Sequence, residues 1–386
     1  MPSSFSESIP LSASIQRVPL ALCINELDRG GAEKALVRIA CGLQALGWPV
    51  TVISLRERGP LAEPLEAAGI PVHALECRGM ADLRTLGRLK HRLRQIKPAV
   101  LLTFLHQAGF WGRLAARGAR VGITVCGIRV ADRRHWVRWT DRLTRSRVDH
   151  YIAVSEHVAR THAKLCGIPP DRISSIPNGI DCGNESSLQD RREPARILFL
   201  GRLTRQKDPL TLLQAWRSMP DKLRNASELH FVGHGDLSAK LRAAITAEEQ
   251  DRICFHGHQP DVTEFLQQST MLVLPSLWEG MPNAVLEAMA AKLPVIATQV
   301  DGTQELIPDS RFGWLVPPGD VKSLSAAMTE ALRNPQERIS RAAAALERVQ
   351  TEFSWEQVVQ QYDQQLSQLI SPKRANSELS DDRNDL

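Results

Sequence analysis

Residues 18–54 read VPLALCINELDRGGAEKALVRIACGLQALGWPVTVIS, and this stretch decides the fold. A short apolar run (VPLALCIN, 18–25) is followed by a Gly-Gly pair, a segment of helical period and a second apolar run (PVTVISL, 49–55). Strand, helix and strand in that order predict parallel strands covered by helices. The alternation continues through IPVHAL (70–75), the charged helix DLRTLGRLKHRLRQIK (82–97), AVLLTFL (99–105), VGITVCGI (121–128) and DHYIAVS (149–155). It breaks at SIPNGIDCGNESSLQDRREPAR (175–196), which is rich in turn formers and charge. A second series restarts with ARILFLGRL (195–203), ELHFVGHG (228–235), ICFHGH (253–258), MLVLPSL (271–277) and PVIATQV (294–300). The expectation is an α/β protein of two Rossmann-like, doubly wound parallel-sheet domains facing a central cleft, at residues 18–187 and 188–354 after a flexible start at 1–17. A helix at 355–371 and a polar, aperiodic tail at 372–386, expected to be disordered, close the chain.

Composition agrees with this frame. The 386 residues are 43% hydrophobic and 24% charged, enough for two domains with separate cores. The chain has no uninterrupted apolar stretch of about eighteen residues, and its start lacks the basic and apolar segments of a signal peptide, so a cytoplasmic protein is expected. The seven cysteines are scattered without a C-x-x-C pair or zinc spacing, which predicts reduced thiols and no metal centre. A net charge of +5 gives a mild bias toward anionic partners and no support for nucleic acid.

In paired doubly wound domains the carboxyl ends of both sheets meet at a cleft, and function must be read from its lining. On the first domain, Gly30 and Gly31 follow the first strand and open a helix, whose free amides and positive dipole end suit a phosphate or a sugar hydroxyl; a tight turn without ligand is the other reading. On the second, Gly201, Arg202 and Lys207 follow a strand and form a diphosphate clamp, with a planar fork and a point charge, unless both cations are simply solvated. The most specific block is EGMPNAVLE (279–287), after the apolar strand MLVLPSL. Gly280 frees the loop, Pro282 suits a first helical position, and the amides around Met281 to Asn283 point from a helix N-terminus into the cleft. Glu279 is placed to meet sugar hydroxyls and Glu287 a ribose diol, since a carboxylate accepts from paired hydroxyls. Taken singly, Glu279 also reads as a partner of the helix N-terminal dipole and Glu287 as a surface helix residue.

GGAEK (30–34), the stretch from AVSEHV to IPNGID (153–181), GRL with Lys207-Asp208, FVGHG (231–235) and EGMPNAVLE, in this order, resemble glycosyltransferase family 4 of the GT-B fold. The resemblance spans the chain from about Leu20 to the last helix. It implies retaining transfer from a nucleotide sugar, often a UDP-sugar, without a bound metal and with no cofactor beyond that co-substrate. Carried onto this sequence, Arg202 and Lys207 hold the diphosphate, Glu279 with the Gly280–Asn283 backbone holds the donor sugar, and Glu287 holds the ribose. Gly30, Gly31, Gly201, Gly233 and Gly257 complete the donor site. It further implies that SWEQVVQQYDQQLSQLI (354–370) crosses back to the first domain. One departure stands out: the stretch after the fifth strand carries Arg129 where many relatives have histidine. Arg129 and His106, after AVLLTFL, are the two candidates to replace it beside Glu279, Arg202 and Lys207 in the catalytic set.

Between 129 and 147 the sequence RVADRRHWVRWTDRLTRSR brings Trp136, Trp139 and Leu143 to one helical face among arginines. It reads either as an interfacial segment on an anionic membrane, fitting a glycan or lipid-linked acceptor, or as a helix that packs its aromatics inward. Two rival functions remain: a non-catalytic nucleotide-sugar binding subunit, and an NAD-dependent dehydrogenase, which the absence of G-x-G-x-x-G disfavours.

Overall fold

The computed structural model describes residues 17–28, 30–79, 82–130, 134–181 and 194–381. Most of the chain start at 1–17, the charged linker at 182–193 and the last five residues lie outside that set. Strands β1 (Leu20–Ile24), β2 (Val50–Ser54), β3 (Val72–Ala74), β4 (Val100–Phe104), β5 (Ile123–Ile128), β6 (His150–Ala153) and β7 (Ile173–Ser175) build a seven-stranded sheet in the order β3-β2-β1-β4-β5-β6-β7. Strands β8 (Ala195–Leu200), β9 (Ser227–Val232), β10 (Ile253–Gly257), β11 (Met271–Leu274), β12 (Val295–Thr298) and β13 (Trp314–Val316) build a six-stranded sheet in the order β10-β9-β8-β11-β12-β13.

Every strand pair is parallel. Helices cover both faces of each sheet, so β1, β4 and β11 bury every residue and read as unbroken apolar runs. In both sheets the strand order reverses beside the first strand, between β1 and β4 and between β8 and β11. Ligands of such sheets bind at the carboxyl ends around that reversal. The edge strands β7 and β13, three residues each, were not legible as strands in the sequence.

The helix Trp355–Asp381 runs past residue 371, where the polar tail was expected to begin, and continues through Pro372 into the good helix formers Lys373, Arg374 and Ala375. Its first part belongs to the core of the first domain: Val358, Tyr362, Leu366 and Ile370 are buried with Leu36, Ile39 and Leu43. Asp363 fastens it there, accepting from Trp48 Nε1 at 2.7 Å and from Arg17 Nη2 at 2.9 Å. Truncating a buried leucine at such a contact costs about 2–5 kcal/mol. The two domains also touch through the linker, where the Ile180 amide donates to the Phe353 carbonyl at 2.8 Å.

Candidate active site

A cleft of about 610 Å³ lies between the domains at the two switch points. It gathers Gly31, Arg129, Gly201, Arg202, Lys207, Gly233, Glu279, Gly280, Met281, Pro282, Asn283 and Glu287 from the sequence-derived set. Lys34, Asn178, Gln206, His234, His258 and Gln259 join them.

The wall from the second domain is locked by short polar contacts. Lys207 Nζ sits 2.5 Å from Glu279 Oε1, and Ser276 Oγ donates to the same oxygen at 2.6 Å. Glu279 is thus matched to Lys207, and cation and carboxylate form one paired unit in this wall. The two loops are also joined by their backbones: Leu277 N donates to the Gln206 carbonyl at 2.8 Å and Gln206 Nε2 to the Trp278 carbonyl at 3.0 Å. Gly233 is required here, because its φ is +137° and a Cβ would stand 1.9 Å from the Gly201 carbonyl oxygen.

The helix Asn283–Ala290 aims its N-terminus at the cleft; Pro282 is its N-cap, one position earlier than expected. First-turn amides and the dipole end of a helix suit an anion at such an edge. Glu287, one turn further in, has its carboxyl pushed above the ordinary range by burial, with Lys34 and Lys207 partly opposing the shift.

The wall from the first domain is held against the second at Gly280, where a Cβ would lie 2.4 Å from the Arg129 carbonyl oxygen. Arg129 donates to Asn178 Oδ1 and to the Tyr362 hydroxyl. Burial holds its pKa down. Asn178 in turn donates from Nδ2 to Asn283 Oδ1 at 2.7 Å and from its backbone N to Met281 Sδ at 3.2 Å. Arg129 therefore lines the cleft but works as a joint between strand end, linker and last helix. Asn178 escaped selection as a site residue although it lies in the motif IPNGID; an asparagine followed by glycine reads first as a turn.

Gly30 caps the helix Gly31–Ala45 without lining the cleft, and Glu33 fills the space where its Cβ would stand. The Glu33 carboxyl is raised by burial, with Glu26 and Asp28 adding to the effect. Gly257 does not line the cleft either, although the two residues after it do.

His106 lies in a neighbouring chamber of about 260 Å³ that shares Leu105, Arg129 and Val130 with the cleft. Its Nδ1 is 3.7 Å from Asp141 Oδ1, and Asp141 is paired with the buried Arg113 at 2.5 Å. Leu105, between cleft and chamber, holds φ +70° and ψ 159°. A leucine in that region costs of order 1–3 kcal/mol, a strain typical of functional sites.

On the helix His135–Thr144 the two tryptophans differ: Trp136 meets the His106 ring edge-to-face at 5.1 Å between centroids, and Trp139 is the more exposed. Val137, Asp141 and Thr144 face inward, while Trp136, Trp139 and Leu143 are 46%, 65% and 60% exposed. Residues 131–133 of that segment lie outside the described residues. None of the described helices is long and apolar enough to cross a membrane.

Comparison with known proteins agrees with this geometry. The model for Glycosyltransferase Family 4 matches residues 29–184, and that for Glycosyl transferases group 1 matches residues 184–347. The chain belongs to glycosyltransferase family 4. Among its family 4 relatives, the Escherichia coli UDP-Gal:alpha-D-GlcNAc-diphosphoundecaprenol alpha-1,3-galactosyltransferase is 26% identical over 83% of this chain and 85% of its own length. The amylovoran biosynthesis glycosyltransferase AmsK of Erwinia amylovora is 32% identical over 49% of each chain. Anabaena HepE, solved with UDP, superposes with a TM-score of 0.78 over 91% of this chain and 100% of that one, at 19% identity. Sucrose-phosphate synthase of Thermosynechococcus elongatus gives 0.77 over 92% and 100%, at 21% identity. The two-domain architecture of this family 4 enzyme is the GT-B fold.

Proposed function

We propose that this glycosyltransferase transfers a sugar from a UDP-sugar to a glycan or lipid-linked glycan acceptor at the inner face of a membrane, with retention of anomeric configuration and without a catalytic metal. The observation that carries this reading is the convergence of Arg202, Lys207 and the Asn283 helix start on one wall of the cleft. Among the described residues lining it, the carboxylates are Glu279 and Glu287, and Glu279 is already neutralised by Lys207. Cationic and amide donors, not a pair of free carboxylates awaiting a magnesium ion, thus face the place of a leaving diphosphate. The names of the relatives point the same way: the E. coli protein uses UDP-Gal and a diphosphoundecaprenol-linked acceptor, and HepE was solved with UDP-glucose.

In this reading Arg202 and Lys207 take the diphosphate, whose charge grows as the glycosidic bond breaks, and Glu287 accepts from the ribose diol. Lys207 exchanges its Glu279 partner for phosphate oxygens, which frees Glu279 to accept from sugar hydroxyls beside the oxocarbenium-like centre. The acceptor oxygen attacks the face the diphosphate leaves, and its proton passes to a departing phosphate oxygen, so no enzyme nucleophile is used. The exposed Trp136, Trp139 and Leu143 with the surrounding arginines support attachment to anionic lipid.

The test is a proton NMR time course of the first-formed product with and without EDTA. An α-linked product from an α-linked donor at an undiminished rate is expected. An inverted product, or activity lost to EDTA and restored by magnesium, contradicts it.

A further inference from the structure

Away from the cleft, on the edge strand β10 of the second sheet and its neighbour β9, His230 of β9 lies opposite Cys254 of β10 in the parallel register, and His256 follows two residues on. The β9–β10 register shifts between Phe255 and Gly257, so His256 is the extra residue of a bulge, the kind of irregularity that re-aims a side chain. One ligand atom from each falls within 4.8 Å of the others. His230 is buried, and the other two are half-buried, open enough for an ion to enter.

We propose that His230, Cys254 and His256 form a binding site for one soft or borderline divalent cation, of the zinc class. Imidazole and thiolate are the donors such ions select, and three protein ligands leave a fourth tetrahedral position for water. The second shell is in place. His230 Nε2 is 3.0 Å from Glu228 Oε2, which fixes the proton on Nε2 and turns the Nδ1 lone pair inward. That Nδ1 stands 2.9 Å from His256 Nε2, a contact that holds one shared proton. Two nitrogens bound at about 2.0–2.1 Å to a tetrahedral ion lie only a few tenths of an ångström further apart. The metal therefore takes the place of the shared proton, which moves to Nδ1 of the neutral His256 ring, and the Cys254 thiol releases its own proton to solvent.

Both histidine rings lie near Arg196. The Arg196 guanidinium, which weakens the attraction for a cation, is drawn to Gln268 Oε1 at 2.6 Å, and the Glu228 carboxylate opposes it. Phe265 packs against the His256 ring in a T-shaped contact at 4.8 Å between centroids. A bound ion pins β10 to β9 just before the turns that bring His234, His258 and Gln259 to the donor cleft, so the site braces that wall without entering it.

Cobalt(II) titration of the untagged full chain, followed by near-ultraviolet absorption and equilibrium dialysis, tests this. One equivalent is expected, with a thiolate-to-cobalt charge-transfer band that zinc abolishes by displacement. Cys254→Ser should remove the band, His256→Ala should weaken binding at least tenfold, and Glu228→Gln should weaken it roughly ten- to a hundredfold. Cys166→Ser, in the buried Asp141, His162 and Cys166 grouping, should leave the band unchanged. The proposal is overturned if folded wild-type protein gives no band at saturating cobalt, or if the band survives Cys254→Ser and disappears in Cys166→Ser. Circular dichroism of each variant separates loss of ligand from loss of fold.

Discussion

Lys207 and Glu279, 72 residues apart in sequence, meet at 2.5 Å with side chains only 14% and 6% exposed. At that depth the pair is little screened, and removing one partner leaves a buried charge at a typical cost of about 3–5 kcal/mol. Each residue therefore has a structural role in this pair and a separate proposed role toward the donor.

Glu279→Gln separates the two roles. The amide oxygen still accepts from Lys207 and Ser276, so the melting temperature should fall by less than in Glu279→Ala. The negative charge beside the reacting carbon is lost, and turnover should drop roughly a hundredfold with a smaller change in donor KM. Steady-state kinetics beside a thermal melt checks this; a KM effect alone would place Glu279 in ground-state binding.

Glu287 is held protonated more easily than an ordinary glutamate, because burial raises its pKa above 4.5. For an acid raised in the folded state, the stabilising contribution is complete below the unfolded pKa and is lost as pH rises through the folded one. Glu287→Gln should therefore stabilise the protein at neutral pH and change little in acid. In the proposed donor pose the ribose contact is a hydrogen bond to a charged group, so the same variant should weaken UDP by about 1.5–3 kcal/mol. Melting at two pH values and calorimetric titration measure both; a variant that is destabilised at neutral pH would contradict the sign.

Trp136 and Trp139 lie on the exposed side of their helix, with Arg134 over the Trp136 ring at 5.0 Å. Replacing both with alanine should leave folding nearly unchanged and reduce co-sedimentation with anionic vesicles. The residual binding should fall as salt rises, since the arginines act through screened charge. Equal sedimentation of variant and wild type would remove this face from the membrane contact.

The fold was legible because parallel, doubly covered strands such as AVLLTFL and MLVLPSL leave an unmistakable apolar signature, and the glycines and prolines around them mark the turns. The cleft was legible where the chemistry is local in sequence, as in EGMPNAVLE. Relations between distant segments were not: the Lys207–Glu279 pair, the Arg129–Asn178–Asn283 chain and the strain at Leu105 depend on which strand ends the topology brings together. His106 could not be placed by its position after β4, because the neighbouring Asp141, on a different helix, draws it into the side chamber. The metal-ligating trio was hidden for the same reason, since His230 and Cys254 become neighbours only through the register of β9 with β10.

The central claim is that the cleft recognises a nucleoside diphosphate through its phosphates, and calorimetric titration of UDP and uridine into wild type and Lys207→Ala tests it most directly. The titrations belong well below the melting temperature of the variant, because the lost partner of Glu279 lowers its stability. One lost charge-assisted contact is worth about 1.5–3 kcal/mol, so UDP affinity should fall roughly ten- to a hundredfold while uridine affinity stays within a factor of about two. Equal losses for UDP and uridine, or no UDP binding by the folded wild-type enzyme, would contradict it.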